Sequence, residues 1–303
     1  MVTQIKLYTD KEMPRRPDWL KVRLPAGPRY IELKEMMRGM ELHTVCEEAR
    51  CPNIGECWGH GTATFMILGD VCTRACRYCA VTSGKPHTLD LGEPKRVAEA
   101  VLKMGLKHAV VTSVDRDDLP DLGADIFAAT IRKIHELNPE CAVEVLTPDF
   151  QGKSDLIQQV MDARPEIFNH NIETVERVFR RVRPGRSNYR LSLDVLRTAK
   201  EMYPEGLTKS GLMVGLGETT DEIVQTMADL READVDILTI GQYLRPTEKH
   251  VTIDRYYHPD EFAELRDSGL GLGFSHVESG PLVRSSYHAH EQSDALRARR
   301  VPA

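Results

Sequence analysis

Short apolar runs rich in β-branched residues recur along the chain at 63–68, 109–114, 142–147, 167–172, 212–216 and 235–240. Between them, apolar positions return at helical spacing over 94–104, 124–137, 154–163, 174–182, 192–202 and 221–233. A repeat near two marks strands and a repeat near 3.6 marks amphipathic helices. Strand then helix, renewed every ~25 to 45 residues, predicts successive βαβ units on a parallel sheet. Six units, where a closed barrel of this kind has eight, predict an α/β fold of the incomplete, laterally open (β/α)6 TIM-like type. Several strands end in polar residues, namely Thr112, Ser113 and Asp115; Thr147 and Asp149; Asn169 to Glu173; Gly215 to Glu218; and Gln242 with Arg245. The carboxyl ends of parallel strands are where barrels of this class place their sites.

The first 40 residues are rich in Pro, Arg and Lys, and predict an extended arm with a short helix at 30–37. The expected organisation is an N-terminal extension (1–60), a partial barrel (61–265) and a C-terminal extension (266–303). A chain of 303 residues with 41% hydrophobic content can bury a large core without staples. Its net charge of -6 offers no global attraction to nucleic acid or to an anionic membrane. Basic runs occur at Arg15, Arg16, Lys21 and Arg23 and at Arg297, Arg299 and Arg300, as solvated termini or as a docking surface for an acidic protein. No apolar run reaches the roughly 18 residues of a membrane span. The start lacks the apolar core of a secretory signal. The expected setting is the cytoplasm, or an organelle matrix, where cysteines stay reduced.

Six of the seven cysteines fall in two triplets, Cys46-x4-Cys51-x5-Cys57 and Cys72-x3-Cys76-x2-Cys79. The seventh, Cys141, sits in an apolar run and reads as a small core residue. Three thiolates are one short of a closed four-coordinate set, so each triplet leaves a position for another ligand. Paired C-x2-C modules or histidine partners, usual for structural zinc, are missing from this pattern. Thiolates suit iron–sulfur clusters. Pro52 and Gly55 interrupt the first triplet, which therefore reads as mostly loop. The run Asp115-Arg116-Asp117-Asp118 reads as a solvated or capping loop, and His288 and His290 as solvated tail residues.

The second triplet, with Tyr78 before its last cysteine, resembles the signature of the radical S-adenosylmethionine enzymes. That resemblance implies a [4Fe–4S] cluster on Cys72, Cys76 and Cys79. Its open iron would chelate the amino and carboxylate groups of S-adenosylmethionine. Tyr78 would lie against the adenine, and Gly211 to Glu218 would form the strand beside the cofactor. The first triplet, together with Arg284-Ser285-Ser286-Tyr287, is similar to the narrower family of lipoyl synthases. Further matching stretches are 114–120, His170 to Thr174, Gly215 to Thr219 and 242–246.

This narrower resemblance implies a second, auxiliary [4Fe–4S] cluster on Cys46, Cys51 and Cys57, with Ser285 as its fourth ligand and Ser286 as the alternative. It implies an octanoyl-lysine substrate, hydrogen abstraction at C6 and then C8, and sulfur insertion from the auxiliary cluster. A radical sulfur-inserting or methylthio-transferring enzyme of another kind is the alternative. Asn171, Glu173, Arg183, Gln242 and Arg245, all near strand ends, are the candidates for cofactor contact. Implied partners are octanoylated lipoyl carrier domains, namely the acyltransferase subunit of 2-oxoacid dehydrogenases and the glycine cleavage H protein. An electron donor such as ferredoxin or flavodoxin, and an iron–sulfur cluster carrier, are implied as well.

Overall fold

Seven parallel strands and one antiparallel edge strand form the central sheet of the computed structural model, in the order β1-β2-β5-β6-β7-β8-β9-β10. The structure describes residues 15–21, 28–44, 47, 53–59, 63–183 and 185–287. Cys46 and Cys51, Arg23, His288, His290 and the arginines at 297, 299 and 300 lie outside the described residues. The strands are β1 (His43–Thr44), β2 (Ala63–Ile67), β5 (His108–Ser113), β6 (Ala142–Leu146), β7 (Ile167–Asn169), β8 (Leu207–Val214), β9 (Ile237–Gln242) and β10 (His276–Gly280). A separate two-stranded ribbon pairs β3 (Val71–Cys72) with β4 (Thr82–Ser83).

Every residue of β2 and β9 is buried. Such continuous burial belongs to parallel strands covered on both faces. The covering helices α3 (Glu93–Met104), α4 (Ala124–Leu137), α5 (Ser154–Met161), α6 (Glu176–Val182), α7 (Tyr189–Met202) and α8 (Thr220–Glu232) follow the predicted helical segments closely. Each lies between consecutive parallel strands, as right-handed crossovers require. Cys141 is buried in this core, at 3% exposure.

Three elements depart from the pattern reading. The seventh parallel strand, β10, follows α9 (Pro259–Gly271) and pairs with β9 from His276↔Ile237 to Gly280↔Gly241. Its His-Val-Glu-Ser-Gly sequence is half polar and mostly half-buried, so no apolar run announces it. The helix α1 (Pro28–Gly39) is longer than the short one expected. The helix α2 (Ile54–Gly59) occupies the end of a stretch read as loop. Trp58 on α2 is buried and stacks at 5.2 Å on Tyr30 of α1, an aromatic contact that offsets the weak propensity of a six-residue helix.

A buried charged cluster joins four neighbouring strands, β5 to β8. Lys209 Nζ lies 2.9 Å from Glu144 Oε1, Asn169 Nδ2 donates to the same oxygen at 3.0 Å, and His108 Nε2 is 3.4 Å from Glu144 Oε2. Lys209 and His108 hold the fully buried Glu144 carboxylate down to about 2 against the cost of its burial. Among the described residues, no helix is long and apolar enough to cross a membrane.

Candidate active site at the carboxyl ends of the strands

The turn leaving β2 passes through Leu68 and Gly69 in the left-handed region (φ 70° and 89°) and delivers the chain into the cysteine loop. The ribbon β3–β4 closes this loop, and hydrogen bonds fix it along its length. Thr73 N and Oγ1 both donate to Asp115 O (3.0 and 2.9 Å), and Ser83 Oγ donates to Arg74 O at 2.8 Å. Arg77 N donates to Val182 O at 2.9 Å, and Val251 N to Arg77 O at 3.0 Å. His250 Nε2 is hydrogen-bonded to Cys79 O at 2.9 Å. The six residues between Cys72 and Cys79, both half-buried, are thereby held by hydrogen bonds from several elements.

Arg74, inside the cysteine motif, is buried and carries the main electrostatic burden of the loop. Its guanidinium makes paired bonds to Asp117 (2.9 and 2.8 Å) and to Asp149 (2.6 and 2.8 Å), and lies 3.3 Å from Asp115. Arg74 holds Asp149 down to about 2, against burial. The neighbouring Arg116 is also buried, pairing with Asp118 at 2.9 Å and donating to Leu68 O at 3.1 Å. The Asp115–Asp118 run is therefore not a solvated loop; it supplies counter-charge to arginines that burial would otherwise expel. An arginine inside the cysteine motif, with an acidic run one strand away, was the available signal.

The three sulfurs differ in setting. Cys72 Sγ accepts from Arg74 N and Asp115 N, both at 3.4 Å. Burial pushes the Cys76 thiol up to about 12 and the Cys79 thiol up to about 11. A metal centre bound in the proton's place would displace those protons, and backbone N–H···S bonds are what tune an iron–sulfur cluster. The three thiols, with N–H donors at Cys72 Sγ, are a donor set that would fit a thiolate-held iron–sulfur cluster. Among the described residues, no three histidine, cysteine or carboxylate side chains meet around a single metal ion.

Beside the thiols stand Glu173, Arg183 and Asn171. Glu173 has left-handed backbone (φ 70°), a strained state for a residue with a side chain. Its N–H donates to Gly211 O at 3.0 Å, and its own C=O accepts from Met213 N at 2.9 Å, so β8 fixes the strain in place. Burial raises the Glu173 carboxyl, with Arg183 opposing and Tyr78 hydrogen-bonded to it. Arg183 is buried; its Nη1 reaches Asn171 O at 3.4 Å, while its Nε has no hydrogen-bond partner. The Oδ1 of Asn171 and the Oγ of Ser113 are likewise buried and unpartnered. Unmet polar atoms at one strand-end cluster fit a ligand with several charged and hydroxyl groups. Gly211 leaves the room: a Cβ there would stand 2.8 Å from Asn171 Oδ1 and 2.6 Å from Thr239 Oγ1.

Gln242 and Arg245 are occupied otherwise. Gln242 is buried, donating to Val214 O (3.1 Å) and Arg255 O (3.2 Å) and accepting from Tyr257 N (2.9 Å). It ties the ends of β8 and β9 to the loop beyond. Arg245 donates to His250 O at 2.9 Å and shapes the loop that grips Cys79 O.

The C-terminal segment reaches the same chamber. Gly241 on β9 lies so near it that a Cβ would meet Val283 O at 2.2 Å. Asn171 Nδ2 donates to Ser285 Oγ at 2.8 Å, and Thr64 Oγ1 of β2 donates to Ser286 Oγ at 2.9 Å. The segment thus runs from β9 across to β2, each the second strand from an edge of the sheet. Asn53, just before α2, donates to Leu282 O at 2.6 Å and brings the helix of Cys57 against this crossing. Cys57 itself is half-buried against the core.

Comparison with known proteins gives a consistent family. Residues 66–230 match the Radical SAM superfamily, and residues 3–51 match the N-terminal domain of lipoyl synthase of the Radical_SAM family. The lipoyl synthase of Rubrobacter xylanophilus is 68% identical over 282 residues, covering 93% of this chain and 88% of that one. Those of Halalkalibacterium halodurans (61%; 95% of each chain) and Geobacillus kaustophilus (59%; 98% of this chain, 100% of that one) are similar over nearly their whole length. Among solved structures, methylornithine synthase (PylB) has a TM-score of 0.54 at 13% identity, covering 82% of this chain and 81% of that one. The FeFe-hydrogenase maturase HydG from Carboxydothermus hydrogenoformans has 0.55 at 15%, covering 80% and 67%. At those identities the likeness is one of fold.

Proposed function

The chain belongs to the lipoyl synthases of the radical S-adenosylmethionine superfamily, and from that premise we propose that its strand-end chamber holds both clusters and the cofactor around one alkyl substrate. In this reading Cys72, Cys76 and Cys79 hold the cluster that binds S-adenosylmethionine. Cys46, Cys51 and Cys57, with Ser285, hold the auxiliary cluster. When bound, these groups supply a 5′-deoxyadenosyl radical and the sulfur atoms inserted at C6 and C8 of an octanoyl-lysine.

The protein's own contribution is placement and exclusion of water, because the cofactors carry the difficult chemistry. Arg183 and Glu173 present opposite charges where a zwitterionic methionyl group would sit. Tyr78, hydrogen-bonded to Glu173, is held rather than free to swing. Asn171 faces both sides: its backbone is joined to Arg183 and its amide to Ser285. Gln242 acts through the backbone it secures. Serine oxygen is a hard ligand for a soft iron–sulfide centre, and so suits a position that must be given up.

The observation that carries the reading is the Asn171–Ser285 contact, which joins the C-terminal motif to the strand end beside the cysteine loop. The substrate-bearing partners in this reading are octanoylated lipoyl carrier domains, with a one-electron donor and a cluster carrier in support, in the cytoplasm. The test is anaerobic reaction of the cluster-loaded chain with S-adenosylmethionine, reductant and an octanoyl-lysyl peptide. A product heavier by two sulfurs less two hydrogens is expected. Cofactor cleavage with sulfur transferred to no octanoyl chain, but to another acceptor, would establish the alternative sulfur-inserting activity.

A further inference from the structure

On the reading of Cys72, Cys76 and Cys79 as ligands of a redox cluster, we propose that the outer face of their loop docks an acidic, low-potential one-electron carrier protein through Arg77, Arg180 and Arg186. The inner face of the loop, which carries Tyr78, is turned to Glu173 and Arg183, so a docked carrier would reach the loop from its outer face. The outer face comes to the surface between the cysteines, where Ala75 and Arg77 are exposed. Arg77 N bonds Val182 O at 2.9 Å, which seats the loop on the end of α6, the helix of Arg180. Arg180 Nη1 reaches Gly185 O at 3.1 Å and draws the turn of Arg186 to the same corner. Thr73, Ala75, Gly185 and Arg186 border an open depression of about 540 Å³ there.

The charge balance of this corner is unlike that of the chain, whose net charge is -6. The carboxylates in the depression face buried arginines, Asp117 at 2.8 Å from Arg74, which Asp115 and Asp149 share, and Asp118 at 2.9 Å from Arg116. Nearby Arg177 and Arg190 are paired with Glu222 and Glu176. Arg77, Arg180 and Arg186 are exposed, and among the described residues no carboxylate pairs with any of them. Three unneutralised guanidinium groups beside the exposed side of the cysteine loop steer an acidic partner to that side. Each encounter moves one electron: the carrier's reduced cofactor is oxidised by one electron and the cluster is reduced by one, with no bond or proton exchanged.

The test compares 5′-deoxyadenosine formation driven by reduced flavodoxin, an acidic carrier, with that driven by dithionite, which needs no docking surface. The double variant Arg180→Glu/Arg186→Glu should raise the flavodoxin concentration for half-maximal rate about tenfold, flatten its salt dependence, and leave the dithionite rate unchanged. The pair Arg180→Lys/Arg186→Lys should stay near the native value, since charge rather than loop geometry is at issue. Equal flavodoxin kinetics in native and Glu variants, or loss with both reductants, would overturn the proposal. So would a raised KM for an octanoylated carrier domain with flavodoxin kinetics intact, which would make this the substrate protein's surface. No 5′-deoxyadenosine from the native protein with dithionite would instead refute the cluster reading. Docking would then be decided by titrating oxidised flavodoxin at low salt, binding that the Glu pair must weaken.

Discussion

At the residue scale, the proposed function has the two cysteine triplets divide the work. Cys76→Ala should abolish formation of 5′-deoxyadenosine, because the site that binds the cofactor loses a ligand. Cys51→Ala should leave that cleavage largely intact and stop the gain of sulfur, as read by mass spectrometry of an octanoyl-lysyl peptide. The opposite pattern would exchange the roles of the triplets. Gly211→Ala probes the chamber wall, since its Cβ would press Asn171 Oδ1 at 2.8 Å and Thr239 Oγ1 at 2.6 Å. Both are side-chain atoms that can yield, at a cost of roughly 1–3 kcal/mol. S-adenosylmethionine binding, measured by calorimetry, should weaken about tenfold, since 1.4 kcal/mol is a factor of ten. Unchanged affinity would place the cofactor elsewhere. The cysteine triplets stand out in the sequence by their spacing, whereas Tyr78 and the serines were singled out by the resemblance to the family. Arg74 and Asp149 were not, since nothing in a linear reading reveals that residues 75 positions apart share one buried bidentate bond at 2.6 Å.

The elements that matter here are a loop and the strands it leans on. The cysteine loop owes its shape to Arg74, whose removal would leave Asp117 and Asp149 without their cation. Breaking a buried pair from one side costs about 3–5 kcal/mol. Arg74→Met should therefore lower the unfolding midpoint by several degrees and reduce iron retention, while Lys200→Met, at a partly exposed pair with Asp236, should do much less. Equal effects in thermal melts would deny the loop its electrostatic anchor. The six covering helices α3 to α8 and six of the parallel strands were legible because each carries its own apolar stripe or run. The strand β10 was not, since its pairing with β9 compensates for a half-polar sequence. The early start of β8 was also hidden: Lys209 and Ser210 look like loop residues until Glu144 and the His170 carbonyl are seen to receive them.

For the whole molecule, the buried Glu144 layer predicts a response to acid. Its carboxylate is held down to about 2, below an unfolded value near 4.3. A depressed carboxylate contributes stability that is fully present above the unfolded pKa and is lost as pH falls toward the folded one. Urea midpoints should fall between about pH 4.5 and pH 2, and Glu144→Gln should flatten that slope while lowering stability at pH 7. An unaltered slope would remove this layer from the account. On the same scale, the C-terminal crossing is tied to Thr64 of β2, to Asn171 beyond β7 and to Asn53 before α2, which brings separate stretches of sequence to one opening. The most direct measurement of that arrangement is the iron content of anaerobically reconstituted protein, native and with Cys46, Cys51 and Cys57 all replaced by alanine. Two [4Fe–4S] centres predict about eight irons per native chain and about four in the variant, which still cleaves S-adenosylmethionine when reduced. A native chain that takes up only about four irons, or a variant that loses cleavage along with its iron, would contradict two independent clusters serving one chamber.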